Sequence, residues 1–388
     1  MVNKKYKVAI IGCGRLGQLY AEAYSIYPDT EIVAIAEYNS ERRKAVGERF
    51  GVKALYKDAE DLLNDIIPDI AAIVTPTKFY KEAVIKCVEA GVKAISTDKP
   101  IAAKLSDADE IVSICESKGV ILGGGALFRA LGKNQDIARY INEGVYGEVR
   151  GAALHCWGVE ISGGGSQHIS LLRLFTNSEI EEVMSWGTHV DLVDLVDAGT
   201  MAIKDIAKRD HLYQMANSAL NQKEDQGIII SGYLKMSSGI QTNIFGTPTP
   251  FRGVDVWTDT SLIRWDWNDP QIYQGFDKNG KRILKDEKFS ENNWDNFGFG
   301  YLGGAIRSLI DSLETGAKLW ISGHDLRQAL EVAIATILSA KLGNVPVKLP
   351  LKDRSLSLYP RPYRWLGGDE TGRYQTAEEV TKQNSKNN

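Results

Sequence analysis

Three groups of residues in this chain have types and spacing suited to chemistry. The first is Gly12-Cys13-Gly14-Arg15-Leu16-Gly17, a GxGxxG directly after the apolar run Lys7–Ile11. Between a strand and a helix, such glycines allow a tight turn and close backbone approach, and the helix N-terminus presents free N–H groups to a pyrophosphate. Glu37 stands twenty residues after Gly17, where a carboxylate can accept ribose hydroxyls and repel a 2′-phosphate. NAD is therefore expected rather than NADP, a preference that Arg42 and Arg43 are close enough in sequence to weaken. The second group is Asp98-Lys99-Pro100. An ammonium at the C-terminal edge of a parallel strand can hydrogen-bond a hydroxyl and stabilise the alkoxide as hydride leaves. The third lies in Gly163–Arg173, where His168 follows Gln167. An imidazole is the side chain best matched to proton exchange near neutral pH, although a helix N-terminus disfavours its protonated form.

Other polar and aromatic residues are candidates for substrate contact. His155 and Trp157 fall on one face of an alternating strand, Val149–Trp157. Asn293 and Trp294, with Asn296 and Phe297, combine amides and aromatic faces in a loop, a composition suited to carbohydrate. Arg129 is a further candidate. Gly187-Thr188-His189, followed by Asp191 and Asp194, is a weaker second histidine site, because Ile180–Val190 reads as a strand. No His, Asp and Glu spacing resembles a dedicated metal site, so no metal is expected.

The elements that must position these groups alternate. Strands at Lys7–Gly12, Glu31–Glu37, Ala54–Tyr56, Asp69–Thr75, Lys93–Thr97 and Val120–Leu122 are separated by helical segments. That alternation calls for a doubly wound parallel sheet with helices on both faces, an α/β fold over residues 1–125. Past Gly123-Gly124-Gly125 the pattern changes. A connecting helix Lys133–Asn142 and a helix from Ser166, expected as its N-cap, to Phe175 precede strand-like segments at Gly227–Met236, Ile240–Phe245, Gly253–Thr258 and Ser261–Trp267. Late helices are expected at Tyr301–Leu313 and Leu326–Leu342. Residues 126–368 are thus expected to form an α+β domain with a largely antiparallel open sheet, and 369–388 a flexible tail. All eight tryptophans and all five histidines lie after residue 150, so the two regions are built for different work.

Composition bounds the function. The 388 residues are 43% hydrophobic and 25% charged, an ordinary globular balance. A net charge of −4 gives no global electrostatic case for nucleic acid or a membrane surface. There is no run of eighteen apolar residues and no basic-then-apolar leader. Four widely spaced cysteines without a CxxC fit reduced thiols in a cytoplasm.

Thr75-Pro76-Thr77 and Asp98-Lys99-Pro100, each after a strand, resemble the Thr-Pro-Asn and Glu-Lys-Pro signatures of the glucose–fructose oxidoreductase, inositol dehydrogenase and MocA-like (Gfo/Idh/MocA) family. Tyr146-Gly147-Glu148-Val149, Ser322–Leu330 and Val347-Lys348-Leu349-Pro350 extend the resemblance over most of the chain. It implies cofactor contacts at Thr75, Pro76, Asp98 and Lys99, and Lys99 directed toward nicotinamide and substrate. It also implies a homodimer or homotetramer formed through the exposed face of the second sheet. The family carries Asp-x-x-x-His-x-x-Asp on the helix after its glycine loop. If Leu171-Leu172-Arg173 sets the register, Gln167 takes the His position and Ser170 the Asp position; otherwise His168 serves after a one-residue shift. In either register the upstream Asp is glycine. The expected activity is an NAD-dependent oxidation of a secondary hydroxyl in a sugar, glycoside or cyclitol, with Lys99 and His168 relaying the proton. The alternatives are an NAD-dependent glycosidase or eliminase with transient C3 oxidation, and a non-catalytic sugar- and nucleotide-sensing binding protein.

Overall fold

The computed structural model describes residues 6–125, 127–155, 157, 161–188, 190, 229–247, 251–266, 269–289, 300–360 and 362–365. The N-terminal elements are β1 (Tyr6–Ile11), α1 (Arg15–Ile26), β2 (Thr30–Ala36), α2 (Ser40–Phe50), β3 (Leu55–Tyr56), α3 (Ala59–Asp65), β4 (Ile70–Ile73), α4 (Tyr80–Glu89), β5 (Ala94–Thr97), α5 (Leu105–Ser117) and β6 (Ile121–Gly124). Then come α6 (Gly132–Asn142), β7 (Val149–His155), α7 (Ser166–Thr176), β8 (Ile180–Thr188), β9 (Ile229–Met236), β10 (Gln241–Phe245), β11 (Gly253–Thr258), β12 (Ser261–Trp265), β13 (Gln271–Phe276) and β14 (Arg282–Leu284). The last elements are α8 (Gly300–Thr315), α9 (Gly323–Lys341), β15 (Val347–Lys348) and α10 (Pro362–Trp365).

The chain divides into two compact units. One comprises described residues within Met1–Ala130, Asn293–Arg327 and Pro362–Asn388, the other those within Leu131–Asn292 and Gln328–Arg361. In the first, six parallel strands run in the order β3-β2-β1-β4-β5-β6. The order reverses direction between β1 and β4, the place where open α/β sheets open a ligand crevice beyond the strands' C-terminal ends. The central strands are apolar on both faces, as helices on each side require: Val8, Ile10, Ile70 and Ile95 are all fully buried. Asn39 caps α2 by accepting from the Arg42 N–H at 2.9 Å, and Gly51 ends it in a left-handed conformation at φ 69°.

Part of the core under this sheet comes from far along the chain. Leu302, Ile306, Leu309 and Ile310 of α8 pack in the same cluster as Val8, Tyr20 and Tyr24. A contiguous division at residues 125 and 126 therefore differs from the compact units, which return α8 to the N-terminal sheet. The helical period of 301–313 shows that an apolar face must be buried, and says nothing about which sheet receives it.

The second unit is built on a nine-stranded sheet in the order β14-β13-β12-β11-β7-β10-β9-β8-β15. Its pairings are antiparallel except β10 with β7. The largely antiparallel α+β architecture is as expected, with β13, β14 and β15 added. β14 and β15 are short edge strands, and β13 lies next to the edge; the side chains of all three are mostly partly or fully exposed, so they lack the alternation that marks a strand in sequence. Helix α7 packs against β7 and β11.

Candidate functional site

The dinucleotide half is built at the C-terminal ends of β1, β2, β4 and β5. Gly12 adopts φ +91°, and a side chain there would meet the Val74 carbonyl at 2.7 Å. A Cβ on Gly17 would lie 2.1 Å from the Gly12 carbonyl, so this glycine lets α1 start against the turn. A Cβ on Gly14 would meet nothing within 4 Å. Gly14 is also the N-cap of α1, with no side-chain cap bond. Open space thus lies beside a helix N-terminus that its own cap residue leaves uncovered, which is what a pyrophosphate requires. Arg15 is exposed in the first turn, whereas Leu16 packs against the core and its side chain serves the fold. The Cys13 thiol is buried, and burial pushes it well above its ordinary pKa, so it is a packed group and not a nucleophile.

Glu37 follows β2 as expected. Its Oε2 accepts the Cys13 N–H at 2.8 Å, and its Oε1 accepts the Asn39 N–H at 2.9 Å. Beyond β4, Thr75 and Pro76 lead into a 3₁₀ turn, Thr77–Phe79. Beyond β5, Asp98 is buried and Lys99 half-buried, and the Lys99–Pro100 peptide is cis. A residue missed in the sequence reading joins them: Arg364 of α10 lies 3.8 Å from the Asp98 carboxylate and donates to the Lys99 carbonyl at 3.4 Å. No local spacing links positions 98 and 364, so only the fold discloses it. The Tyr20 hydroxyl donates to the Thr97 carbonyl at 3.1 Å, which ties α1 to the same strand end. Burial, with Asp98 adding, pushes the hydroxyls of Tyr20 and Tyr80 well above their ordinary range, so neither serves as a base.

Arg129 is placed for structure. Its Nε donates to the Trp320 carbonyl at 2.6 Å and its guanidinium lies 3.8 Å from Asp325. Asp325 in turn accepts from the Ser322 N–H and hydroxyl at the start of α9, both at 2.7 Å.

In the second unit the histidines part company. His168 is buried on α7 with its ring edge-on to Trp265, centroids 6.2 Å apart. Burial lowers its pKa to about 3; the positive charge of Arg252 adds to this and the His155 main chain opposes it. The near-neutral base expected at this position is therefore a permanently neutral imidazole at physiological pH. Gln167 is buried as well. Ser166 is the first helical residue and donates its hydroxyl to the Gly163 carbonyl, so it does not act as the N-cap; Gly165 holds that position.

His155 ends β7 half-buried, with Nε2 3.2 Å from an Asp255 oxygen. Arg264 grips the same carboxylate through two bonds, at 2.9 and 2.7 Å. Burial acts to raise the Asp255 pKa, yet the hydrogen bonds from Arg264 and His155 outweigh it and hold the group below its ordinary value. Phe245 stacks on the imidazole at 5.4 Å and Phe251 meets it edge-on at 4.6 Å. Trp157 does not share this environment. Strand β7 stops at His155, and the Trp157 indole is buried, donating to the Gly165 carbonyl at 3.2 Å. The common strand face expected for the two residues is not formed, since Trp157 lies in a turn and not in β7. His189, Asn293 and Trp294 lie outside the described residues.

An open sheet of this order, with a glycine turn at its switch point and a carboxylate after the second strand, defines a dinucleotide-binding Rossmann domain. Residues 6–125 match the model of the Gfo/Idh/MocA oxidoreductase family, described by its NAD-binding Rossmann fold. It is 35% identical over 144 residues to a D-apiose dehydrogenase of Paraburkholderia graminis, covering 37% of this chain and 38% of that protein. The chain thus spans well under half the length of that relative. It is 26% identical to a D-glucoside 3-dehydrogenase of Escherichia coli, over 68% of this chain and 72% of that one. The fold is similar to a crystal structure of an oxidoreductase from Agrobacterium radiobacter in complex with NAD+, L-tartaric acid and magnesium. The TM-score is 0.68 at 18% identity, over 89% of this chain and 98% of that one. Among the described residues no helix is long and apolar enough to cross a membrane.

Proposed function

We propose that this protein is an NAD-dependent dehydrogenase that oxidises a secondary hydroxyl of a sugar, glycoside or cyclitol to a ketone. The observation that carries the reading is Asp98-Lys99-Pro100 at the C-terminal end of β5, in the sheet whose switch point holds the glycine turn. The named relatives, dehydrogenases of apiose and of glucosides, support the substrate class. Gly12, Gly14 and Gly17 would hold the pyrophosphate, and Glu37 the adenosine ribose. Bound NAD supplies the hydride acceptor.

The Lys99 amine hydrogen-bonds the substrate hydroxyl and takes its proton, and the ammonium so formed stabilises the negative charge left on the substrate oxygen. Arg364 and Asp98 position that lysine: one holds its carbonyl, the other precedes it on a buried carboxylate. His168 enters the reading as a neutral hydrogen-bonding group, because burial removes its capacity to store a proton. The relay expected from Lys99 with His168 is thereby narrowed to Lys99. Gln167 on the same helix can bond a hydroxyl as donor or acceptor. Contact through the second sheet in a homodimer or homotetramer belongs to the same reading, supported by half-exposed Trp186 on β8 and Phe245 on β10.

The test is NADH formation at 340 nm across a panel of aldoses, glycosides and inositols, with Lys99→Met as the control. Turnover that disappears in the variant while NADH binding persists supports the reading. Release of a glycosidic leaving group without NADH accumulation would replace it with transient-oxidation chemistry. NAD binding without turnover of any kind, unchanged by Lys99→Met, would replace it with a sensor.

A further inference from the structure

Arg42 and Arg43 read in sequence as cations available to a 2′-phosphate. The fold turns both toward Glu37. The Arg42 guanidinium lies 3.4 Å from Glu37 Oε1, and the two side chains are only 4% and 3% exposed. Arg43 Nη1 donates to the Glu37 carbonyl at 2.5 Å and to the Tyr38 carbonyl at 3.5 Å. Glu37 is also held by two backbone amides, Cys13 N–H from the glycine turn and Asn39 N–H. Asn39 pins the other end of the arrangement, because its side chain caps the helix that carries Arg42.

We propose that Arg42 is a positioning residue that sets cofactor selectivity through Glu37. A carboxylate has about four acceptor directions, and Cys13, Asn39 and Arg42 occupy three of them here. About one direction remains for a ribose hydroxyl, and it is fixed before the nucleotide arrives. Such preorganisation favours a hydroxyl donor and rejects a phosphate, which offers the carboxylate only more acceptors and negative charge. Arg42 is the side chain in this set that can be removed without altering the backbone, and the cation that balances the buried carboxylate. It therefore enforces the preference for NAD that its position in the sequence suggested it would weaken. The proposal rests on the dinucleotide half of the molecule and is independent of the sugar substrate.

The experiment measures dissociation constants of NADH and NADPH for the full chain by nucleotide fluorescence, with Arg42→Met, Glu37→Gln, the double variant and Arg42→Lys. Arg42→Met is expected to weaken NADH about tenfold, the value of one hydrogen bond to a charged group, and NADPH by less than about threefold. Glu37→Gln should shift the NADH-to-NADPH ratio in the same direction. The double variant should shift it no further than Glu37→Gln alone, because Arg42 acts only through that carboxylate. Arg42→Lys should restore part of the ratio. Equal weakening of both nucleotides in Arg42→Met would overturn the proposal by showing a purely structural role. A shift that adds to that of Glu37→Gln would overturn it too. Thermal unfolding without nucleotide shows whether Arg42→Met folds. If it does not, Arg42→Lys decides alone: a ratio between those of the parent and Glu37→Gln supports the proposal, and an unchanged ratio overturns it.

Discussion

Acidification should destabilise the second unit through His168, and the size of the effect follows from its burial. The unfolded imidazole titrates near 6.5 and the folded one near 3. Between those values the unfolded chain binds about one more proton than the folded chain, so stability falls as pH falls. The sign is that of a base whose folded pKa is depressed: its neutral form is favoured in the fold, and nothing is lost above pH 6.5. The slope is about 1.4 kcal/mol per pH unit inside the window. From pH 7.5 to 5.0 the group should contribute a loss of about 2 kcal/mol. The comparison is with His168→Leu, which removes the titration and keeps an apolar side chain beside Trp265.

Urea unfolding followed by tryptophan fluorescence at both pH values supplies the measurement. All other titrating groups are shared by the two proteins and cancel in the difference. The parent should lose about 2 kcal/mol more than the variant over this range. Imidazole carbon shifts of ¹³C-histidine protein offer a direct check, since His168 should stay neutral at pH 5. An equal pH dependence in parent and variant, or an imidazolium signal from His168 at pH 6, would refute the argument. Proton transfer through His168 would then return to the mechanism.

Three further outcomes are expected. Lys99→Met should lower kcat by about 10²–10³-fold, as for other removed donors at a developing oxyanion, while the NADH dissociation constant changes little. Gly165→Ala would place a methyl 2.4 Å from the Trp157 indole nitrogen and should cost about 1–3 kcal/mol, read as a fall in Tm. Arg264→Met leaves the buried Asp255 held by His155 alone and should cost about 3 kcal/mol in urea unfolding at pH 7; Arg264→Met with Asp255→Leu should recover most of that loss.

The dinucleotide half was legible because its function and its fold use the same residues. Gly12 and Gly17 are glycines for steric reasons that also shape the pyrophosphate turn, and the helix after them presents amides whatever its side chains. The alternation of strands and helices, Glu37 and Asp98-Lys99 therefore follow from short-range pattern. What the pattern omits is direction. Arg42 and Arg43 stand at the right distance from Glu37 to meet a phosphate or to meet Glu37 itself, and sequence spacing is the same for both. Arg364, remote in sequence, joins Asp98 only after α10 has folded back to its unit. The periodicity of 301–313 was equally silent about the sheet that α8 covers.

Burial decides the rest, and burial belongs to tertiary structure. His168 and His155 are the same side chain within fourteen positions, and helix or strand phase assigns each only a face. On α7 nearly every residue is buried, so the imidazole with the more suggestive sequence context loses its protonated form to desolvation. At the end of β7 the other keeps partial exposure and gains a carboxylate that Arg264 already holds in place. A carboxylate fixed behind an imidazole selects its tautomer and orientation, the arrangement by which enzymes prepare a histidine to exchange protons. The Asp255–His155 contact is brought together only by the pairing of β7 with β11, so no local spacing announces it.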